Sequence, residues 1–134
     1  MDLDILRHYL IGIPHIDSQH RDLLVMANEI IANLKDNRKA LDLLTAFVRA
    51  TEQHFEDEEN CMKEHGYPFI PNHVVEHKVI IHRLNALARD LRNTATRKMD
   101  RIYILEITRG LLNHIDNYDI QFGQYVAKKQ MTQS

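Results

Sequence analysis

Apolar residues return at steps of three and four through four stretches of the chain, and no stretch alternates with the two-residue period of a half-buried strand. Leu23, Leu24, Ala27, Ile30, Ile31 and Leu34 form the first stripe. With Asp17-Ser18 as an N-terminal cap, it predicts a helix over 18–36. Asp36-Asn37-Arg38 is a short polar break. A second helix over 39–65 turns Leu41, Leu44, Phe47, Val48, Thr51 and Phe55 inward, and Gly66-Tyr67-Pro68 stops it with glycine at the usual C-terminal capping position. Pro71 suits the first turn of a third helix that runs to about Asn93, with Val74, Ile81, Leu84, Leu87 and Leu91 on its inner face. Asn93-Thr94-Ala95-Thr96 is a loop. A fourth helix from Met99 or Asp100 to about Lys128 carries Ile104, Ile107, Leu111 and Ile115 inward. Four helices with short connections pack most simply as an all-α, antiparallel up-down-up-down four-helix bundle. The expectation is a single domain over 1–134, with an N-terminal arm over 1–17 and a frayed tail over 129–134.

Polar residues interrupt these stripes at chosen places. His54 lies three after Thr51 and seven after Phe47. His77 lies four before Ile81 and seven before Leu84. His114 lies three after Leu111 and seven after Ile107. Two of these sit in pairs four apart, His54 with Glu58 and His73 with His77. Four residues advance about 6 Å and return to nearly the same azimuth, so each pair aims at one neighbouring point. His114 and Asp119 are five apart and need a helix distortion or a longer reach. His20 ends the segment DSQH on the first helix. Each predicted helix therefore carries one group.

A buried imidazole or carboxylate without a partner is costly, and a cluster of them more so. A metal pair satisfies such a cluster. Five imidazoles, two bridging carboxylates and a water-derived bridging oxygen supply about eleven bonds, where two six-coordinate ions take about twelve. One position is left for a small molecule. Imidazole-rich donors suit iron better than calcium or magnesium, which prefer oxygen, although zinc or manganese can enter the same cage in vitro.

Composition narrows the classes. The chain has 134 residues, enough for one core, and its 44% apolar and 27% charged residues describe a folded globular chain rather than a disordered one. The net charge of -2 and the lack of a basic stripe argue against nucleic acid or a membrane surface as a partner. The N-terminal apolar stretch is broken by Arg7, His8 and Pro14, unlike a signal peptide, and no run suits a membrane span. The one cysteine, Cys61, cannot form an internal disulfide; a reducing, cytoplasmic location fits. Cys61 falls on the inner stripe and reads as a small apolar core residue rather than a redox group.

The order H…HxxxE…HxxxH…HxxxxD resembles the hemerythrin family, and the flanking GIPHIDSQH, HFEDEE, CMKEHGYP and NHIDNYD resemble its bacterial branch. The likeness spans about 10 to 128. It implies two iron ions (Fe2+/Fe3+) joined by an oxo or hydroxo bridge. One would be held by His73, His77 and His114 and the other by His20 and His54, with Glu58 and Asp119 bridging. It implies reversible binding of molecular oxygen at the iron with two histidines, in an oxygen carrier, store or delivery protein that is not an enzyme. Phe55, Ile81, Gly110, Leu111 and Ile115 are candidate walls of the oxygen pocket. A lone core-facing histidine is ordinarily a hydrogen-bonded structural residue; seven fitting residues in order outweigh that reading here.

His8, His15, His65 and His82 fall outside the pattern, and His65 and His82 are expected in solvent. Glu59 and Glu76 adjoin ligand positions but lie about 100° away around the helix, which predicts surface positions. Bacterial members commonly carry tryptophan where this chain has Gly110. That glycine costs about 1 kcal/mol against alanine in a helix and leaves room either for a channel or cavity toward the irons or for neighbouring side chains to fill. Two other functional classes remain. One is an oxygen or redox sensor module signalling to a partner through the N-terminal segment or the end of the fourth helix. The other is a di-iron enzyme, such as a peroxidase or nitric-oxide-handling protein. The absence of an output domain favours the carrier, with a monomer as the default and an oxygen-accepting or signalling protein as a possible partner. Iron storage, which needs a shell-forming oligomer, has no support in the residues.

Overall fold

A computed structural model of the chain describes residues 10–93 and 101–133. They form helices α1 (Pro14–Ala32), α2 (Asn37–Glu64), α3 (Ile70–Asn93) and α4 (Arg101–His114). A π-helical turn, Ile115–Asp119, joins α4 to α5 (Ile120–Gln133), so α4, the π turn and α5 make the fourth rod. Neighbouring rods pack in a closed ring: α1 on α2, α2 on α3, α3 on α4, and α4 back on α1. This is the expected antiparallel four-helix bundle, and no strand occurs among the described residues. No helix among them is long and apolar enough to cross a membrane.

The first helix starts earlier than Asp17-Ser18 suggests. Pro14 opens α1, where its fixed φ is already helical and its missing N–H costs nothing. Asp17 lies within the first turn and reaches back, accepting from the backbone N–H of Ile11 (2.7 Å) and Gly12 (3.2 Å). The true cap of a helix start in this chain is Asp36, which accepts from the Lys39 N–H at 3.1 Å and opens α2. The first helix also ends sooner than expected, at Ala32, before the Asn33–Asp36 turn.

Gly66 closes α2 as the sequence predicts. It adopts φ +65°, its N–H bonds to the Lys63 carbonyl, and the Tyr67 N–H reaches back to Met62. That pair of bonds is a Schellman motif, sealed by the buried Tyr67 and Met62. The start of the fourth helix at Met99 or Asp100, most of the Asn93–Thr96 loop, Ile104's side chain and His8 lie outside the described residues. At the other end, α5 continues to Gln133 rather than fraying after Lys128. Lys129 anchors it by donating to the His65 carbonyl at 2.8 Å.

The core follows the stripes. Leu23, Ala27, Ile30, Leu44, Phe47, Leu84, Leu111, Ile115, Phe122 and Val126 are buried, and Cys61 is buried among them. Burial raises the Cys61 thiol above its ordinary value, with Glu64 and Glu58 adding to it, so the thiol stays protonated and behaves as a small apolar residue. The residues before α1 belong to this core too, because Ile11 and Ile13 are buried. Ile11 lies directly against Gly123 of α5, where a Cβ would collide with the Ile11 carbonyl and side chain. Gly123→Ala must push the Ile11 segment off the fourth rod. The expected cost is about 1–3 kcal/mol, the usual range for overpacking, read as a lower urea midpoint with helical content retained; an unchanged midpoint would show the contact to be dispensable.

Candidate metal centre

The four polar groups of the sequence converge midway along the bundle. His20 comes from α1, His54 and Glu58 from α2, His73 and His77 from α3, and His114 and Asp119 from the fourth rod. All seven are buried, and both carboxylates are 0% exposed. The four-residue spacings bring their pairs onto one face as expected. The five-residue spacing of His114 and Asp119 is resolved by the π turn. There the Ile120 N–H bonds to the Ile115 carbonyl, an i→i+5 step that returns residues five apart to one side. Such a turn is rare and recurs at functional sites.

The carboxylates divide the histidines between them. Glu58 turns Oε1 toward His73 Nε2 (2.8 Å) and His77 Nε2 (3.1 Å), and Oε2 toward His54 Nε2 (3.3 Å) and His20 Nε2 (3.5 Å). Asp119 turns Oδ1 toward His73 Nε2 (2.7 Å) and His114 Nε2 (3.0 Å), and Oδ2 toward His20 Nε2 (3.0 Å). Two overlapping donor groups result. Glu58, His73, His77, His114 and Asp119 form one, and His20, His54, Glu58 and Asp119 form the other; each could hold a metal ion. Both carboxylates belong to both groups, with one oxygen facing each.

The seven residues do not satisfy one another. His77 Nε2 and His114 Nε2 face each other at 3.0 Å. His20 Nε2, His54 Nε2, Glu58 Oε2 and Asp119 Oδ2 are buried without a properly aligned hydrogen bond, although ion-pairing distances separate them. Buried polar atoms are normally paired. Lone pairs aimed at common points in this way fit cations, so the residues present fit the metal pair that the sequence implies.

Proton affinities follow from the same packing. Burial pulls the His20 imidazole down, but Asp119 and Glu58 outweigh it and push His20 up to about 10. His73 is likewise lowered by burial and pushed up to about 9 by Asp119 and Glu58. Burial would raise Glu58, but the imidazoles of His20, His54, His73 and His77 hold it well below its usual value. Asp119 is raised by burial and by Glu58, yet His114 and His20 bring it below the ordinary carboxylate range.

The surroundings differ from expectation at four places. Glu59 is only partly exposed: its Oε2 lies 2.8 Å from His77 Nδ1. The neighbouring helix α3 brings His77 into reach across the α2–α3 groove, which azimuth on α2 alone does not reveal. Gln19, unremarked in the sequence, holds its Oε1 2.7 Å from His54 Nδ1. His65 is half-buried, its ring edge on Phe122 at 6.0 Å, because the Schellman turn folds it back on α5. Glu76 is half-buried as well, while His15 and His82 are exposed. Tyr118 stacks on His114 with ring centroids 5.4 Å apart. An unpartnered ring nitrogen on a ligand histidine was the signal available for Glu59 and Gln19, since such histidines usually bond outward to a carboxylate or carbonyl.

Among the candidate pocket walls, Phe55 stacks face to face on His77, with centroids 3.8 Å apart and planes 4° from parallel. Leu111 and Ile115 are buried, and Ile81 is half-buried. Gly110 borders a cleft of about 390 Å³ between α3 and α4, and nothing lies within 4 Å of where its Cβ would stand. Neighbouring side chains therefore do not fill that space. The cleft is lined by Leu84 and Leu111 on its inner side and by none of the seven clustered residues.

Comparison with known proteins agrees with this geometry. The family model described as "Hemerythrin HHE cation binding domain" matches residues 11–123. The chain belongs to the hemerythrin family. Its relatives point to the bacterial branch. It is 34% identical over 118 residues to a bacteriohemerythrin of Stenotrophomonas maltophilia, covering 87% of this chain and 76% of that protein. A bacteriohemerythrin of Pseudomonas aeruginosa is 29% identical over 110 residues, covering 81% and 71%. A myohemerythrin of Riftia pachyptila is 25% identical over 114 residues, covering 85% of each chain. No solved structure matches significantly.

In this hemerythrin without metal, the raised imidazoles set a pH dependence. His20 and His73 are raised above 6.5, so their contribution to stability is fully present below pH 6.5 and lost as pH rises through about 9 and about 10. Glu58 and Asp119 are lowered, so theirs is present above their ordinary values of 4.5 and 3.8 and lost as pH falls below. The metal-free protein should thus show its highest urea midpoint between these limits and a falling midpoint toward pH 10. A midpoint that climbs steadily from pH 6 to 10 would contradict the assignment.

Proposed function

We propose that this hemerythrin-family chain holds two iron ions in the clustered residues and binds molecular oxygen there reversibly, as an oxygen carrier, store or delivery protein. His73, His77 and His114 would hold one ion, His20 and His54 the other, and Glu58 and Asp119 would give one oxygen to each. The observation that carries the reading is the split of both carboxylates between a three-histidine and a two-histidine group. Unequal histidine counts leave the two-histidine position short of a donor. When bound, the iron pair supplies two electrons and that open position for dioxygen.

The chain's own residues supply the rest. Nitrogen-rich donors favour a first-row transition metal over calcium or magnesium. Phe55, Leu111 and Ile115, all buried, keep bulk water from the cluster. Phe55 also fixes the plane of His77 by stacking on it. We read the 134 residues as one domain of this kind, acting without a chemical substrate. The imidazole-rich donor set, unlike the carboxylate-rich sites of oxygen-activating di-iron bundles, favours binding over catalysis.

The test is anaerobic loading with ferrous iron, metal analysis, and then admission of oxygen while the visible charge-transfer absorption is followed. The reading expects about two irons per chain, as six-coordinate sharing of these donors requires, and a band that disappears when oxygen is removed and returns with it. His54→Ala should retain no more than about half the iron, because the two-histidine group would be left with one imidazole. Full retention in that variant, or failure of the parent to bind two irons, defeats the proposal. Immediate, irreversible bleaching would instead favour a sensor or an oxidase.

Gly110 gives a second measurement. It lines the α3–α4 cleft one helical turn before His114. In Gly110→Trp the indole should fill the cleft, and both azide entry and autoxidation should slow relative to the parent. Equal rates in the two proteins would show that ligands enter elsewhere.

A further inference from the structure

Resting on that two-metal reading, we propose that Glu59 is a positioning residue for His77, and that Glu59 and Gln19 make the two metal positions unequal. The three-histidine position is the more tightly held, and the two-histidine position exchanges its ion more readily.

The argument begins at the outer nitrogens of the imidazoles. Nε2 of every clustered histidine faces the carboxylates, so the other ring nitrogen decides how each ring is held. His20 Nδ1 and His114 Nδ1 are buried with no hydrogen-bond partner. His77 and His54 each have one, and the two partners differ in charge. Glu59 Oε2 lies 2.8 Å from His77 Nδ1. A carboxylate can only accept, so His77 Nδ1 carries the hydrogen and Nε2 keeps its lone pair for a metal.

His54 is held by a neutral amide. Gln19 Oε1 lies 2.7 Å from His54 Nδ1, and the orientation of that amide is fixed because Gln19 Nε2 donates to Asp57 Oδ2 at 2.9 Å. Asp57 Oδ1 in turn accepts from Gln53 Nε2 at 3.0 Å. The amide sets the direction of the His54 ring but places no charge on it. Asp57 is bonded to the Gln19 amide and not to the His54 ring.

Charge is the difference that matters. An anion bonded to Nδ1–H makes an imidazole a stronger electron donor through Nε2 and favours the higher charge on a bound ion. Among the described residues Glu59 forms no ion pair with lysine or arginine, so its charge is not spent elsewhere. The His77 ring is also held on its face. Phe55 stacks on the face of His77, and Glu59 meets the ring's outer edge, all three lining the groove between α2 and α3. His77 is thereby restrained in tautomer, tilt and basicity together.

The experiment uses the full chain loaded with cobalt(II), followed by transfer of metal to an excess of a colorimetric chelator. The parent should release one ion quickly and one slowly. Glu59→Gln and Glu59→Ala should both speed the slow phase by about 10–100-fold, the usual effect of removing such an outer partner, and leave the fast phase alone. Gln19→Ala should speed the fast phase only. In iron-loaded protein, Glu59→Gln should also raise the reduction potential, because a negative charge that favours the ferric state is gone.

Glu59→Gln separates charge from shape, since it keeps the size and an acceptor oxygen. If it matches the parent in release and in potential while only Glu59→Ala is impaired, Glu59 is merely structural and the proposal fails. Thermal melts of the metal-free variants, expected to match the parent, exclude misfolding as a cause. If the parent itself never takes up two cobalt ions, the two-metal reading fails and this proposal with it. Normal uptake with an unchanged Glu59→Gln overturns this proposal alone.

Discussion

Two carboxylates buried at 0% exposure in the middle of a helical bundle are the constraint around which this chain is arranged. An ionised carboxylate taken out of water is unfavourable by several kcal/mol unless positive charge and hydrogen bonds answer it. Five imidazoles supply that answer here. With no metal bound, protons on His20 and His73 stand in for cations, and this is why both rings hold protons far above the ordinary imidazole range. An apolar core of similar volume would be as stable or more so. A cluster of this kind therefore reflects a demand for binding and not for stability.

The rest of the bundle can be understood as what keeps the cluster in place. Four rods each contribute part of it, so no donor group exists until the rods have packed. The apolar stripes continue on both sides of the polar layer, through Leu84 and Leu111 toward one end and Phe122 and Val126 toward the other. Regular α-helix suffices for the pairs on α2 and α3. The fourth rod must place His114 and Asp119 on one side although five residues separate them, and a single π turn does this without breaking the rod. Gly123 follows four residues after Asp119. Its missing side chain lets Ile11 lie against the rod, so the segment before α1 braces the stretch that carries the buried aspartate.

Much of this was legible from residue spacing. The apolar periods predict four helices, three histidines fall on those stripes, and the paired spacings together with the family resemblance complete the seven that meet. The need for a distortion between His114 and Asp119 was visible as a number that did not fit an α-helical period. The rest depended on neighbours in space. Asp17 looks like a cap but serves the residues ahead of it, because Pro14 can open the helix unaided. Glu59 points away from Glu58 on its own helix, yet α3 brings His77 to it. Gln19 beside His20 carries no periodic signal at all, since its partner lies 35 residues away on α2. Gly110 showed that space was available; only the packing of α3 on α4 showed that the space stays open.

The shared carboxylates have a consequence for how the proposed centre fills. Glu58 and Asp119 each place one oxygen in either donor group, so the groups are not separate sites that happen to adjoin. A first cation satisfies one oxygen of each carboxylate and leaves the other oxygen still buried and in need of positive charge. The second position is then partly built by the first. Opposing this is the repulsion between two cations a few ångströms apart, which a bridging anion and the two shared carboxylates must offset. Which position fills first is decided by what distinguishes the groups, and the structure offers two distinctions. One group has three imidazoles where the other has two, and one has an anion behind a ring where the other has an amide. Both favour the same position. In the proposed centre the inequality would therefore be set by the protein before any small molecule arrives, and the weaker position would be the one with a bond to spare.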